Sequence, residues 1–355
     1  MEYVFGLDTF GDRPALPGAA AGSAFEVDKG NGALMSHPDS IRQVVREGVL
    51  ADKLGLDIFA IGEHHRPEYA ISSPEMVLAT LAGLTKNITL ASAVTVLSSD
   101  DPVRVYERFA TLDALSNGRA EVMLGRGSFT ESFPLFGYPL SDYELLFEEK
   151  LNLLVKLLDE KPVTWSGNTR AALHNQEVFP KTDNRLMASV GVGGSPQSVI
   201  RAARYGLPVV FAIIGGSPGR FSRYTELYRR ACAQFGTTAH PIGMHSPGFI
   251  ADTEEEAKEL FWPAYKAQHD LIGGERGWPP LTRAQFEQEI THGSLYLGTP
   301  ETVAQKIAKS MKAVGAQRFE MVYTFGAQAA DARYRTVELY GGEVVPRVRE
   351  LLGES

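Results

Sequence analysis

The chain has 355 residues, 44% hydrophobic and 22% charged, with a formal net charge of -8 and one cysteine. These proportions belong to a globular enzyme, and negative charge without any Lys/Arg-rich run argues against a nucleic-acid or anionic-membrane partner. The lone Cys232 rules out an internal disulfide, and with no apolar run of spanning length and no secretory pattern before residue 3, a cytoplasmic protein is expected.

Residues 3–7 read as a first strand. Residues 11–36, with PALPGAAAGSAF at their centre, have no regular period and read as a long loop suited to a lid. Ile41, Val44, Val45, Val49 and Leu54 recur at helical spacing over residues 37–55. A short buried-type strand, 58–61, runs into Gly62-Glu63-His64-His65, and Ser73-Pro74 opens a helix ending near 84. The strand 88–96 is almost wholly apolar or small, as a parallel strand covered on both faces should be. Asp101-Pro102 starts the next helix and Asn117-Gly118 ends it. The strand 120–124 then delivers Arg126, flanked by two glycines.

A loop carrying Phe129, Phe133, Phe136 and Tyr138 leads to a helix over 142–159, and 161–180 reads as a hairpin-containing insertion. Alternation resumes with strands at 185–190, 208–214, 241–250 and 318–322. The helices between and after them fall at 195–205, 217–235, 253–270, 299–314 and 331–352, with 274–292 irregular or partly helical. Eight strands, each followed by a helix, predict an α/β chain forming one (β/α)8 TIM barrel over 1–355, with insertions after strands 1, 4 and 7. A doubly wound sheet is the alternative that the count leaves open.

In such barrels chemistry sits at the C-terminal ends of strands. His64 and His65 lie there, either as a general acid/base or an electrophile against a cofactor, or as structural histidines held by carbonyls and Glu63. A metal pair is disfavoured, because successive residues of an extended chain point to opposite sides. Gly191-Val192-Gly193-Gly194-Ser195-Pro196, with Ser198, makes a strand-to-helix junction whose amides and hydroxyls could cradle a phosphate or simply turn and cap the chain. Arg126 adds a bidentate phosphate partner. Gly215-Gly216-Ser217 could join the same rim. No dinucleotide fingerprint, Walker loop or nucleophile elbow is present.

These motifs resemble the bacterial luciferase-like, flavin-dependent monooxygenase superfamily. The resemblance is carried by Glu63-His64-His65, Asp101-Pro102-Val103-Arg104, Leu112-Asp113-x-Leu115-Ser116-x-Gly118-Arg119, Gly125-Arg126-Gly127, Gly193-Gly194-Ser195-Pro196, Gly206-Leu207-Pro208 and Gly298-Thr299-Pro300. It implies FMN at the C-terminal face, with Arg126, Ser195 and Ser198 on its phosphate and the Gly193 and Gly194 backbone beside them. Ala93–Val94 matches the family's non-proline cis peptide beneath the flavin ring, and His64 the histidine beside it. Asp113, Ser116 and Arg119 are read as turn and packing residues. Gly125 stands where luciferases proper place cysteine, which weakens any expectation of light emission.

The reaction implied is oxygenation of a small organic substrate by reduced FMN (FMNH2) and O2 through a C4a-(hydro)peroxyflavin, with His64 controlling the proton. Without a nicotinamide domain, reduced flavin would come from a separate reductase. Residues 11–36 and 274–292 would be lids, and a homodimer through the second and third helices is the family habit. Hydride transfer with the deazaflavin F420, a non-catalytic flavin-binding protein, and a metal-dependent barrel hydrolase are the alternatives.

Overall fold

The computed structural model describes residues 3–16 and 33–354. Its strands are β1 Val4–Thr9, β2 Ile58–Ile61, β3 Thr89–Val96, β4 Ala120–Gly125, β5 Val163–Trp165, β6 Leu173–Gln176, β7 Met187–Val192, β8 Val209–Ala212, β9 Gly243–Ile250, β10 Tyr296–Gly298 and β11 Arg318–Val322. Parallel pairing runs β1-β2-β3-β4-β7-β8-β9-β11 and closes from β11 back to β1, an eight-stranded (β/α)8 barrel. β5 and β6 form a separate antiparallel hairpin within 161–180, and β10 adds to β9 outside the closed ring.

Alternation along each strand sorts side chains into two layers. Phe5, Leu7, Phe59, Leu90, Val122, Val190 and Phe319 join the helices in a continuous outer core. Ile58, Ala60, Ala91, Ala93, Met123 and Val210 form a small cluster inside the barrel. The helix Pro102–Ser116 shows how the outer core is fastened. Asp101 accepts the Val103 amide at 2.8 Å, and Asn117 and Gly118, both at positive φ, end the helix. Fully buried Val105 and Phe109 each contribute roughly 1.5–3 kcal/mol relative to exposure. Arg119 holds the turn by donating to the carbonyls of Ser116, Ile88, Ala82 and Thr85, which is the packing role expected of it.

Among the differences from expectation, two boundaries move and one helix is interrupted within its expected span. The strand expected at 185–190 is Met187–Val192, so it reaches the glycine turn directly. The helix expected to stop at 270 continues to Arg276, because Gly273 packs its open face against Trp278 and the left-handed terminator is Gly277. The closing helix is interrupted by a π turn, Tyr340–Val344; a Cβ at Gly341 would lie 2.7 Å from Leu54 Cβ, so glycine permits that close approach. Most of the first expected lid, residues 17–32, lies outside the described residues. Its flanks are tied together by Leu16 N–H to Ala33 O at 2.9 Å and Met35 N–H to Pro14 O at 2.8 Å. The second holds the end of Glu254–Arg276 and the helix Arg283–Thr291, which is fixed by a capping box from Thr282 and Gln285.

Candidate active site at the barrel mouth

Strand ends bring the expected residues to one rim. The Ala93–Val94 peptide is cis, and the β3–β4 register shifts there. Val94 rests on two glycines from neighbouring strands. A Cβ at Gly125 would overlap the Val94 Cγ2 methyl and sit 2.8 Å from Val94 Cβ; one at Gly191 would meet Val94 Cγ1 at 2.9 Å. Gly125 is therefore the residue that a branched side chain at 94 requires. Gly125→Cys should destabilise the fold by about 1–3 kcal/mol through overpacking, read as a lower unfolding midpoint, and Val94→Ala in the same chain should recover most of the loss.

Next to this seat, Glu63 ties two elements together: Oε2 accepts the Val96 amide and Oε1 meets His65 Nε2, each at 2.9 Å. That hydrogen bond, outweighing burial, holds the His65 imidazole above its usual value. Glu63 thus holds the His65 ring in place. His64 lies in an aromatic box, stacked on Tyr69 at 4.3 Å between centroids, with Phe10 and Phe129 edge-on. Its Nδ1 lies 3.4 Å from Glu131 Oε1. Burial pushes the Glu131 carboxyl up, but the hydrogen bonds and charge of His64 and the His65 amide hold it below its usual range. An ionised Glu131 keeps a proton on His64 Nδ1 and leaves the other nitrogen available.

The phosphate candidates form a second cluster. Ser195 caps the helix Pro196–Arg204, its Oγ accepting the Ser198 amide, and Gly194 adopts φ 102° ahead of it. A Cβ at Gly193 would meet nothing within 4 Å, so the backbone there is open to a ligand. The Ser198 side chain is buried beneath the turn. Arg126 pairs with Glu144 and lies over the Tyr143 ring; Glu144 also takes Arg201 Nη2 at 2.9 Å. Arg201 belongs to the helix that Ser195 caps, so Glu144 joins Arg126 to the Gly193–Ser198 turn. Among the described residues, enclosed Arg201 Nη1 has no hydrogen-bond partner. Arg201, Glu144 and Glu131 escaped sequence reading because they sit among ordinary polar residues; contact across elements alone marks them.

At Gly215-Gly216, the Gly216 amide donates to Glu289 at 3.0 Å and Gly215 O accepts from Arg220 Nη2 at 2.7 Å. Among the described residues no group of three or more His, Cys, Asp or Glu could hold a metal ion, and no helix is long and apolar enough to cross a membrane. The second expected lid, 274–292, reaches the site: Arg66 makes a two-pronged pair with Glu275 at 2.8 and 2.6 Å, and Arg276 donates to Ser128 O at 3.0 Å.

The family model "Luciferase-like monooxygenase" matches residues 23–318. The alkanal monooxygenase alpha chain of Photobacterium leiognathi is 23% identical over 342 residues, covering 89% of this chain and 95% of its own. Among solved structures, the FMN complex of the oxygenating constituent of 3,6-diketocamphane monooxygenase from Pseudomonas putida superposes with a TM-score of 0.74 at 20% identity, covering 98% and 99% of the two chains. The coenzyme F420-dependent tetrahydromethanopterin reductase of Methanopyrus kandleri gives 0.71 at 18% identity, covering 98% and 100%.

Proposed function

We propose that this chain, which belongs to the luciferase-like monooxygenase family, binds FMN at the barrel mouth and oxygenates a small organic substrate with reduced flavin and O2. The observation that carries this reading is the pairing of a phosphate rim with a ring seat on adjacent strand ends: Arg126 and the Gly193-Gly194-Ser195 turn on one side, the Ala93–Val94 peptide on the other. The unpartnered Arg201 Nη1 and the open backbone at Gly193 suit a phosphate.

When bound, FMN supplies the electrons that activate O2. The chain's part is to hold the phosphate with Arg126, Ser195 and the glycine amides, support the ring with Ala93 and Val94, and exclude water. His64, kept in one tautomer by Glu131 and walled by Phe10, Tyr69 and Phe129, manages the proton at its outward nitrogen. Ser198 fixes the capped turn by donating its amide to Ser195 Oγ. Reduced flavin arrives from a separate reductase, and the protein works in the cytoplasm as a homodimer. F420-dependent hydride transfer is the second reading, favoured by the full-length match to an F420-dependent barrel.

His64→Ala should bind FMN as the wild type does, yet consume reduced flavin and O2 with at least tenfold more H2O2 released per turnover. Oxygen-electrode and peroxide assays read this. Unchanged peroxide release would remove His64 from proton control, and flavin oxidation that needs no O2 would favour the F420-type reaction.

A further inference from the structure

β9 lies four strands from β3 in either direction around the ring, so it faces the Ala93–Val94 seat across the mouth. It carries His245, whose Nδ1 lies 2.8 Å from Oδ2 of Asp8 on β1. The Asp8 side chain is wholly enclosed, whereas His245 keeps 9% of its side chain accessible. Among the described residues Nε2 of His245 has no hydrogen-bond partner, yet it is not one of the enclosed unpartnered atoms. It therefore keeps some accessible surface. The Phe10 ring stands between the two histidines, 6.5 Å from His245 and 5.4 Å from His64.

We infer that His245, oriented by Asp8, is a second acid–base group of the site, taking a proton at Nε2 from an acidic hydroxyl of the substrate. This rests on the flavin monooxygenase reading for the identity of the site, though not for the dyad itself. A buried carboxylate that accepts from Nδ1–H leaves Nε2 as the proton acceptor, the arrangement that makes a histidine a directed base. The O–H bond of the substrate breaks, an N–H bond forms at Nε2, and Nδ1–H stays with Asp8. The products are an imidazolium–carboxylate pair and a substrate oxyanion.

The class of hydroxyl follows from matching acidities. Imidazole takes a proton effectively only from an acid within a few units of itself, which selects phenols and enols over aliphatic alcohols. Burial pulls the His245 imidazole down, but the hydrogen bond and charge of Asp8, with Glu320, outweigh it and hold it above its usual value. Burial pushes Asp8 up to about 6, offset in part by His245. The other charged groups facing the pair are Glu320 and Arg318 on β11, and Arg318 is itself tied to Glu121 on β4 at 2.8 Å. Among the described residues, enclosed Asp8 Oδ1, Glu320 Oε2 and Arg318 Nη2 have no hydrogen-bond partner.

The test is nitrogen NMR of histidine-labelled full-length protein, with and without FMN, the His245 signal assigned through His245→Gln. A titration midpoint above 6.5 is expected, falling by about a unit or more in Asp8→Asn. The probe is 4-nitrophenol, whose phenolate is coloured. With FMN present it should move the His245 signal and ionise about one unit below its free value in the wild type, and in neither variant. A His245 signal that ignores 4-nitrophenol, or equal ionisation in His245→Gln, overturns the proposal. Failure of the wild type to bind FMN contradicts the flavin reading instead, and the midpoint and its Asp8→Asn shift, read without FMN, still decide the dyad.

Discussion

Arg126→Ala is expected to weaken FMN binding by roughly 10- to 100-fold, the worth of a charge-assisted hydrogen bond to phosphate. Arg126 holds no core contact that its removal would collapse: its partners are Glu144 and the Tyr143 ring at the rim. The unfolding midpoint should therefore stay nearly constant while affinity falls. Arg126→Lys should recover only part of the loss, because an ammonium cannot make the planar two-pronged contact. Flavin fluorescence titration at two ionic strengths reads both effects, and the wild type should lose more affinity in salt than Arg126→Ala does. Equal affinity in wild type and Arg126→Ala would move the phosphate elsewhere.

Arg333→Met should cost about 3–5 kcal/mol of stability, as expected when a buried ion network loses its principal cation. Arg333 is 1% exposed and donates to the carbonyls of Asp12 at 2.5 Å and Gly326 at 2.6 Å. The Asp12 carboxylate takes the Gly326 amide at 2.7 Å and the Thr324 hydroxyl at 2.9 Å, while Glu47 takes Tyr323 OH at 2.7 Å. Burial raises both carboxyls, and the charge of Arg333 is the largest opposing influence on each. Without it they rise further. A carboxyl whose folded value is raised stabilises the fold at low pH and loses that contribution as pH climbs through the folded value. The penalty of Arg333→Met should thus be larger at pH 8 than at pH 5.5, measured by denaturant unfolding at both. A penalty that does not depend on pH would mean that lost packing, not charge, accounts for it.

The barrel was legible in the sequence because its outer core obeys simple periods. Strand runs such as 88–96 and caps such as Asp101-Pro102 and Asn117-Gly118 are local features, and local features survive in one dimension. Misplaced boundaries occurred where tertiary contact overrides a breaker. The helix expected to end at 270 runs on through Gly273, which lets Trp278 approach while the chain stays helical. His64, Arg126 and Ser195 stand out by type and position at strand ends. Their controlling partners do not: Glu131, Glu144 and Arg201 are ordinary surface-type residues until the fold brings them together. Asp8 and His245 did carry a signal, since a carboxylate and an imidazole in otherwise buried strands require a partner. Their separation of 237 positions hid which partner it was.

The proposed function rests on the rim built from Arg126 and Gly193–Ser195 holding the phosphate of FMN. The most direct measurement is a parallel binding titration of FMN, riboflavin and F420 to the full chain. FMN is expected to bind at least tenfold more tightly than riboflavin, with the difference abolished in Arg126→Ala, and more tightly than F420. Riboflavin binding as tightly as FMN would contradict the phosphate rim, and tighter binding of F420 would contradict the assignment of FMN.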